Sequence, residues 1–180
     1  LYNQDNYSTG EFTMTRGEPN SYNVSKYKHS GYVEGIYQVA PKLTASLGLK
    51  ADLVDLTIKH QVVNVNPGQK TIDRLYFLPR LNLKYDISKK NSMRLGLSKT
   101  YTLPQSKEIS PYQYVNIGFA SQGNANLQPS DNYNADLKWD YYITASELFS
   151  VSAFYKYVVD PIGRVDQGNS AGLLSYENLS

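Results

Sequence analysis

Residues 130–159 read SDNYNADLKWDYYITASELFSVSAFYKYVV, which is two long alternating segments joined by a short polar turn. From Tyr133 to Tyr141, every second residue is apolar or aromatic, and the residues between them are polar. Such alternation places the two sets on opposite faces of a β-strand. The second segment repeats it, with Phe154 as the one apolar residue on the polar face. The stretch therefore predicts an amphipathic β-hairpin.

The two strands of this hairpin are long. Strands of globular proteins usually have about five or six residues, and each of these has roughly twice as many. An apolar band about 25 Å tall, crossed by a strand tilted by about 40°, needs about ten residues that each advance about 3.3 Å. The strands thus have the length of membrane-spanning ones. A soluble β-sandwich also alternates, so the rest of the chain has to decide between the two architectures.

Similar alternating segments lie on both sides of the hairpin. The polar residues before Lys28 predict a loop with one faint strand around Phe12. We predict further strands at about Lys28–Val39, Leu43–Leu53, Leu75–Ile87 and Ser92–Thr102, and a weaker one at Ile162–Val165. The connections are alternately short and long: Ala40–Lys42, Asp55–Asp73, Ser88–Asn91, Leu103–Pro129 and Ile143–Glu147. The second of them contains a turn signal, Asn66-Pro67-Gly68.

The order of these connections distinguishes the two architectures. If successive strands cross one sheet, the short turns lie on one side and the long loops on the other, as in outer-membrane barrels. Aromatic residues of the apolar face agree, because they fall near the strand ends. Those by the short turns are Tyr37, Tyr85, Trp139 and Tyr141, and those at the opposite ends are Tyr101, Tyr133 and Tyr157.

We therefore predict an all-β fold, an antiparallel up-and-down transmembrane β-barrel. The visible strands fit either a small barrel of about eight strands or a segment of a larger one. A soluble β-sandwich that acts as an adhesin or binding module is the alternative.

The composition argues against several other functions. The formal net charge of +2 is too small to suggest nucleic-acid binding, and the absence of Cys excludes thiolate chemistry. No apolar run reaches the roughly eighteen residues of a transmembrane helix. His29 and His60 have no neighbouring metal ligands in the sequence. Asp136 and Asp140 would lie about 13 Å apart on one strand, too far for a glycosidase pair. We expect no enzymatic activity, no cofactor and no metal site.

The segment before the hairpin carries a specific resemblance. Residues 98–142 read SKTYTLPQSKEISPYQYVNIGFASQGNANLQPSDNYNADLKWDYY and strongly resemble the barrel of TonB-dependent outer-membrane receptors. In that family Pro, then Glu-Leu-x-Pro, a variable loop and Gly-Asn-Pro-Asn-Leu-Lys-Pro-Glu precede a strand. The matching residues are Pro104, Glu108, Pro111, Gly123, Asn124, Asn126, Leu127 and Pro129, and the departures include Lys99, Ile109, Ala125 and Gln128. The motif is structural, because Pro, Asn and Gly order the loop and start the strand.

The resemblance is good from about Leu75 to Ile162 and implies a fold and a location. Residues 1–180 would be part of a C-terminal barrel of about 22 strands, in the outer membrane of a Gram-negative bacterium. The Asn- and Tyr-rich composition resembles receptors of the Bacteroidetes. The chain starts without a basic and apolar leader, and we expect it to be a segment of a longer protein.

The same resemblance implies partners and a function. Such a barrel lies in outer-membrane lipid, encloses its own plug domain, couples to TonB through that plug, and in some cases works with a surface lipoprotein. We expect the plug and the TonB box to lie outside this chain. The implied function is energy-coupled uptake of a scarce nutrient, such as a siderophore, cobalamin, a glycan or a peptide. A passive porin or structural barrel is the alternative.

Two groups of residues are candidates for contact with the ligand or the plug. The longest connection offers aromatic and amide side chains that we expect to bind the ligand: Tyr112, Gln113, Tyr114, Asn116 and Phe119. The polar strand faces carry charged residues that we expect to line a hydrated lumen or to hold the plug: Arg80, Lys84, Arg94, Asp136, Lys138 and Asp140.

Overall fold

The computed structural model describes residues 21–62, 65–110, 113–116, 119–144, 146–168 and 172–179. Most of these residues are in β-strands, and one short helix interrupts them. In chain order the elements are β1 (Ser21–Ala40), β2 (Leu43–Val62), β3 (Val65–Ser88), β4 (Asn91–Thr102), α1 (Ser106–Ile109), β5 (Gln113–Asn116), β6 (Phe119–Gln122), β7 (Ser130–Tyr142), β8 (Leu148–Val159), β9 (Ile162–Asp166) and β10 (Leu173–Asn178).

Six strands form the main sheet, in the order β1-β2-β3-β4-β7-β8. Every neighbouring pair is antiparallel, which confirms the predicted up-and-down arrangement. The hairpin predicted at 130–159 is β7 and β8, with Tyr133 opposite Tyr157. The short turns after β1, β3 and β7 lie at one end of the sheet, which we call the turn end, and the opposite end is the loop end. Within the described residues the sheet does not close into a barrel.

The prediction of a long connection at Asp55–Asp73 is wrong, because this region continues the strands. β2 has 20 residues and β3 has 24, and they pair with one another far beyond the end of the β3–β4 ladder, while the first half of β1 pairs with β2 along the same extension. The predicted turn at Asn66-Pro67-Gly68 lies inside β3, and the chain reverses between Val62 and Val65. We call the extension, residues 54–62 and 65–74, the arm.

The polar and apolar faces of the sheet exchange where the arm begins. Up to Leu53 on β2, odd-numbered residues are apolar and even-numbered ones are mostly polar. Beyond it, Val54, Leu56 and Ile58 are apolar and buried, while Asp55 and Lys59 are exposed. β3 exchanges at the same level, because its register sets Leu75 opposite Leu53 and Asp73 opposite Asp55. One face of the same hairpin is therefore polar near the turn end and apolar in the arm.

The apolar side of the arm is covered by segments that follow β4 and β8. A hydrophobic core of Leu56, Ile58, Ile72, Ile109 and Leu127 joins the arm to α1 and to the segment before β7. The partly buried residues packed against this core are Val24, Ala125, Ile162 and Tyr176. We call residues 103–129 and 162–179 the cap. The shared core fixes the cap over the polar face at the loop end.

Four short strands form a second sheet within the cap, in the order β5-β6-β10-β9. β6 and β10 are parallel, and the other two pairs are antiparallel. The sequence predicted β9, but the prediction of β5 and β6 as part of the connection Leu103–Pro129 is wrong, and β10 was not predicted. The first strand also begins earlier than predicted, at Ser21 instead of Lys28. The faint strand predicted near Phe12 lies outside the described residues.

The odd-numbered face between the turn end and Leu53 exposes large apolar side chains from every strand of the main sheet. They include Val33, Leu47, Phe77, Leu97, Leu137 and Tyr155. Soluble monomers rarely expose contiguous apolar surface beyond a few hundred Å². This face therefore requires an apolar environment. Among the described residues, no helix has the length and apolar character needed to cross a membrane.

Candidate ligand-binding face and its charged clusters

The even-numbered side chains of the main sheet form a polar face that carries all six residues predicted to line a lumen. The register places Lys84, Arg94 and Lys138 side by side on β3, β4 and β7. One row closer to the turn end, Asp86 and Asp140 flank Ser92 in the same way. A basic row thus lies directly above an acidic row.

Asp140 is the centre of the cluster that these two rows form, which we call the lower cluster. Its side chain is almost completely buried, and it accepts a hydrogen bond from Ser150 Oγ at 2.6 Å. Lys138 Nζ lies 3.1 Å from one carboxylate oxygen, and Arg94 Nη1 lies 3.7 Å from the other. Lys84 instead pairs with Asp86, at 3.0 Å. The like charges of the basic row are therefore balanced by carboxylates one row away.

Arg80 and Asp136 lie apart from the lower cluster. Arg80 Nη2 reaches Glu34 Oε1 at 2.7 Å, from β3 across β2 to β1. It passes over Gly48, where an added Cβ would lie 3.7 Å from Arg80 Nε. A side chain longer than Ala at this position would displace the arginine. Asp136 is exposed and lies opposite Phe154 on β8, which is also exposed.

A second buried carboxylate, Asp52, lies near the loop end of the polar face. Its side chain is 1% exposed. Lys28 Nζ lies 2.9 Å from Oδ2, and Lys50 Nζ lies 3.0 Å from Oδ1. The Tyr101 hydroxyl donates to Oδ2 at 3.0 Å, so three strands contribute to this cluster. Lys50 and Asp52 were predicted from the sequence to be lumen charges, but their contact with Lys28 depends on the register of β1 and β2.

The position of Tyr101 contradicts the prediction that it lies on the apolar face. Its ring stacks on Tyr76, a polar-face residue, with 3.8 Å between centroids and 9° between the planes. The reason lies in the ladder between β3 and β4, which ends at Arg80 and Ser98. Towards the loop end, Arg80 is followed on β3 by Pro79, which has no N–H with which to continue the ladder. Beyond that point β4 pairs only with β7, so Tyr101 can turn towards the polar face.

An ion pair connects β3 with β7 where this ladder is missing, and a second one lies within the intact β4–β7 ladder. Lys99 Nζ lies 3.0 Å from Asp131 Oδ2, and Arg74 Nη2 lies 4.0 Å from the same oxygen. Lys99 also lies over the Tyr133 ring, 5.4 Å from its centroid. Arg74 lies over Tyr76, at 5.2 Å. The Arg74–Asp131 pair and the stack of Tyr76 on Tyr101 therefore link β3 to β7 and β4 in place of backbone hydrogen bonds.

The five predicted ligand contacts belong to the cap. Tyr112 lies outside the described residues. Gln113 is exposed and begins β5, which also contains Tyr114 and Asn116. Phe119 begins β6 and pairs with Asn116 in the register of the small sheet. The backbone thus brings four of the five residues into one hairpin of the cap.

The residues of the family motif make specific contacts within the cap. A Cβ at Gly123 would coincide with the backbone carbonyl oxygens of α1 and of Ser110, so only Gly fits there. Asn124 N donates to Glu108 O at 2.6 Å, and Asn124 Nδ2 donates to Tyr176 O at 2.9 Å. Asn126 N in turn donates to Asn124 Oδ1 at 2.8 Å. Asn124 therefore ties the start of the motif to α1 and to β10.

Of the remaining motif residues, one starts α1 and three are buried. The Glu108 side chain accepts the Gln105 backbone N–H at 2.8 Å, which starts α1. Pro104, Leu127 and Pro129 are buried, and Leu127 belongs to the core shared with the arm. Pro111 lies outside the described residues. In the described part of the chain, no group of three or more His, Asp or Glu side chains is placed to hold a metal ion.

An up-and-down sheet with membrane-length strands, an exposed apolar face and a charged opposite face defines the wall of an outer-membrane β-barrel. The family model described as "TonB dependent receptor-like, beta-barrel" matches residues 1–179. The chain therefore belongs to the TonB-dependent receptor family, as a segment of its barrel, and the resemblance seen in the sequence is confirmed. Members of this family are outer-membrane proteins of Gram-negative bacteria.

Solved structures of the same fold cover nearly the whole chain. The copper transporter OprC aligns with a TM-score of 0.66 and 14% identity, over 98% of this chain and 28% of its own. The FrpB iron transporter from Neisseria meningitidis aligns with a TM-score of 0.54 and 14% identity, over 88% and 22%. The siderophore receptor PirA from Pseudomonas aeruginosa aligns with a TM-score of 0.51 and 14% identity, over 88% and 35%.

These identities show a common fold and nothing about the ligand. The chain spans between about a fifth and about a third of the length of these three structures. A search of curated protein sequences gives no match.

Proposed function

We propose that this chain forms part of the wall of an energy-coupled outer-membrane receptor that captures a scarce nutrient through its cap and passes it along the polar face. The observation that carries the proposal is the exchange of faces at Leu53 and Leu75. Between the turn end and this level, the sheet is apolar towards the bilayer and polar towards a lumen. Beyond it, the arm is polar outwards and apolar inwards, as a wall that stands in water on the cell exterior requires.

The cap has the properties of a ligand-capturing element. It joins the arm through one hydrophobic core, so it lies over the entrance to the polar face. Its β5–β6 hairpin contains Gln113, Tyr114, Asn116 and Phe119, which supply amide and aromatic groups. Ligand sites often lie on loops that a rigid scaffold positions. The plug and TonB belong to the same proposal as partners, since the chain's family couples transport to them.

Deletion of residues 112–119 should abolish uptake by the full-length receptor while the barrel still inserts. A Gly/Ser linker of equal length is the matched control for chain connectivity. We would measure cell-associated radioactive iron and copper, supplied as siderophore complexes and as simple salts. Heat-dependent gel mobility and surface labelling would report insertion.

The energy requirement separates the receptor from a passive porin. A protonophore should stop uptake by the wild-type receptor, because TonB uses the proton-motive force. Uptake that persists in the presence of the protonophore would instead favour the porin. Unchanged uptake by the deletion variant would show that the cap hairpin does not bind the ligand.

A further inference from the structure

A cleft opens on the polar face where β4 enters the cap. Its volume is about 450 Å³, which lies within the range of about 300–1,000 Å³ found for small-molecule sites. Polar and charged side chains dominate its lining: Lys26, Lys28, Lys50, Asp52, Thr100 and Tyr101. Gln113, the one predicted ligand contact whose side chain the structure describes, does not line it. Its position between the cap and the remaining polar face places it on the route of an entering solute.

We propose that this cleft is a binding subsite for an oxyanion, such as a carboxylate, phenolate or phosphate group of the transported ligand. The inference rests on the proposed receptor function and names a ligand chemistry for it. Three lysines line the cleft with one carboxylate, so two positive charges remain unbalanced within it. Lys26 forms no ion pair with any described residue.

The burial of the charged groups favours an anion over a cation. The Asp52 side chain is 1% exposed, whereas those of Lys28 and Lys50 are 40% and 41% exposed. The negative charge is therefore covered by its partners, and the positive charges face the cleft. Although Asp52 also lines the cleft, a solute there has far more contact with the ammonium groups than with the carboxylate.

The hydrogen-bond donors lead to the same conclusion. The Asp52 carboxylate already accepts from Lys28, Lys50 and Tyr101. Each ammonium group has three N–H donors. Contact with Asp52 uses only part of this capacity, so Lys28 retains donors for a ligand oxygen. Asp52 acts here as a positioning residue, because it holds both lysines in place.

Tyr101 gives the cleft one rigid aromatic wall. Its hydroxyl is bonded to Asp52, and its ring is stacked on the buried Tyr76. Lys28 Nζ lies 5.6 Å from the centroid of the Tyr101 ring. A planar oxyanion can lie against such a ring while its oxygens meet the lysines. An aromatic carboxylate is therefore a suitable probe.

The test uses the full-length receptor in detergent, with benzoate as the anionic probe and benzamide as its neutral isostere. Ligand-observed NMR titration should show saturable binding of benzoate and none of benzamide, and inorganic phosphate should compete with benzoate. The combined variant Lys28→Gln/Lys50→Gln should bind benzoate at least about tenfold more weakly, as expected when charge-assisted hydrogen bonds are lost. Lys89→Gln, in an exposed turn at the opposite end, should leave binding unchanged.

A further variant guards against a folding defect. Lys26→Gln breaks no ion pair and should weaken benzoate binding by about threefold to tenfold. If the combined variant fails to assemble, this single change carries the test. Equal binding of benzoate and benzamide, or unchanged binding in Lys26→Gln and the combined variant, would overturn the subsite. The subsite would also be overturned if benzoate did not bind to the wild type and the lysine changes released the plug, because the lysines would then hold the plug and not a ligand.

The outcome can be separated from that of the proposed function. Energised uptake together with lysine-independent benzoate binding would reject the subsite alone. Lysine-dependent binding without energised uptake would keep an anion site and reject the receptor function.

Discussion

We expect Leu47→Arg to destabilise the assembled receptor by about 2–4 kcal/mol, the cost measured for a charge at the bilayer midplane on a barrel's lipid-facing surface. Leu47 lies near the middle of the apolar face, opposite Gly35 on β1 and Leu81 on β3. Its side chain is exposed, so the loss would arise from contact with lipid and not from a cavity in a protein core. Denaturant unfolding of the full-length receptor in lipid vesicles would measure the free energy.

Ser46→Arg provides the matched control on the adjacent residue. Ser46 lies on the polar face, where its hydroxyl donates to Glu34 at 2.5 Å. An arginine there keeps a carboxylate partner and remains hydrated, so we expect a loss below about 1 kcal/mol. Equal losses for the two variants would contradict the assignment of the odd-numbered face to lipid.

We expect Leu127→Ala to detach the cap from the arm and leave the barrel wall intact. Leu127 is 1% exposed and lies in the core with Ile58 and Ile109. Truncation of a fully buried Leu to Ala costs about 2–5 kcal/mol, because transfer and cavity terms add. The cap core is small, and a loss of this size should raise the population of locally open cap. Hydrogen exchange of peptides from residues 103–129 should speed up by about tenfold or more.

Leu137→Ala removes the same atoms from the lipid-facing side of β7. It should leave exchange in residues 103–129 unchanged, because Leu137 has no contact with the cap core. Ligand uptake should fall in Leu127→Ala and persist in Leu137→Ala. Slow exchange throughout the cap of Leu127→Ala would show that the shared core does not fix its position.

Alternation and the short turns were enough to predict the six strands of the main sheet and the two faces between the turn end and the level of Leu53. It failed at the arm for a specific reason. Val54, Leu56 and Ile58 continue the alternation of β2, but on the face that was polar up to Asp52. If a strand is predicted only where one face stays apolar, the predicted strand ends at Leu53. The actual strand continues to Val62. The exchange is a change of solvent, but in the sequence it looks the same as a change of secondary structure.

The clusters on the polar face were less accessible to sequence analysis. Lys50 and Asp52 are two residues apart on one strand, but Lys28 joins them only through the register of β1 and β2. Tyr101 follows the alternation of β4 and still turns to the polar face, because the ladder ends at Pro79 on another strand. The small sheet of the cap depends on parallel pairing between β6 and β10, which are about fifty residues apart and have no local pattern in common.

The exchange of faces also sets how deeply the protein sits in the membrane. Alternation decides only which side of a strand meets lipid, and a slip of the hairpin by two residues would preserve it. Such a slip would move each strand by about 6.6 Å along its axis. It would draw Asp55 and Asp73 into hydrocarbon or lift Leu53 and Leu75 into water. The Leu53–Leu75 pair and the Asp55–Asp73 pair therefore fix the depth of the protein in the membrane. A bilayer of different thickness would have to adapt to this level.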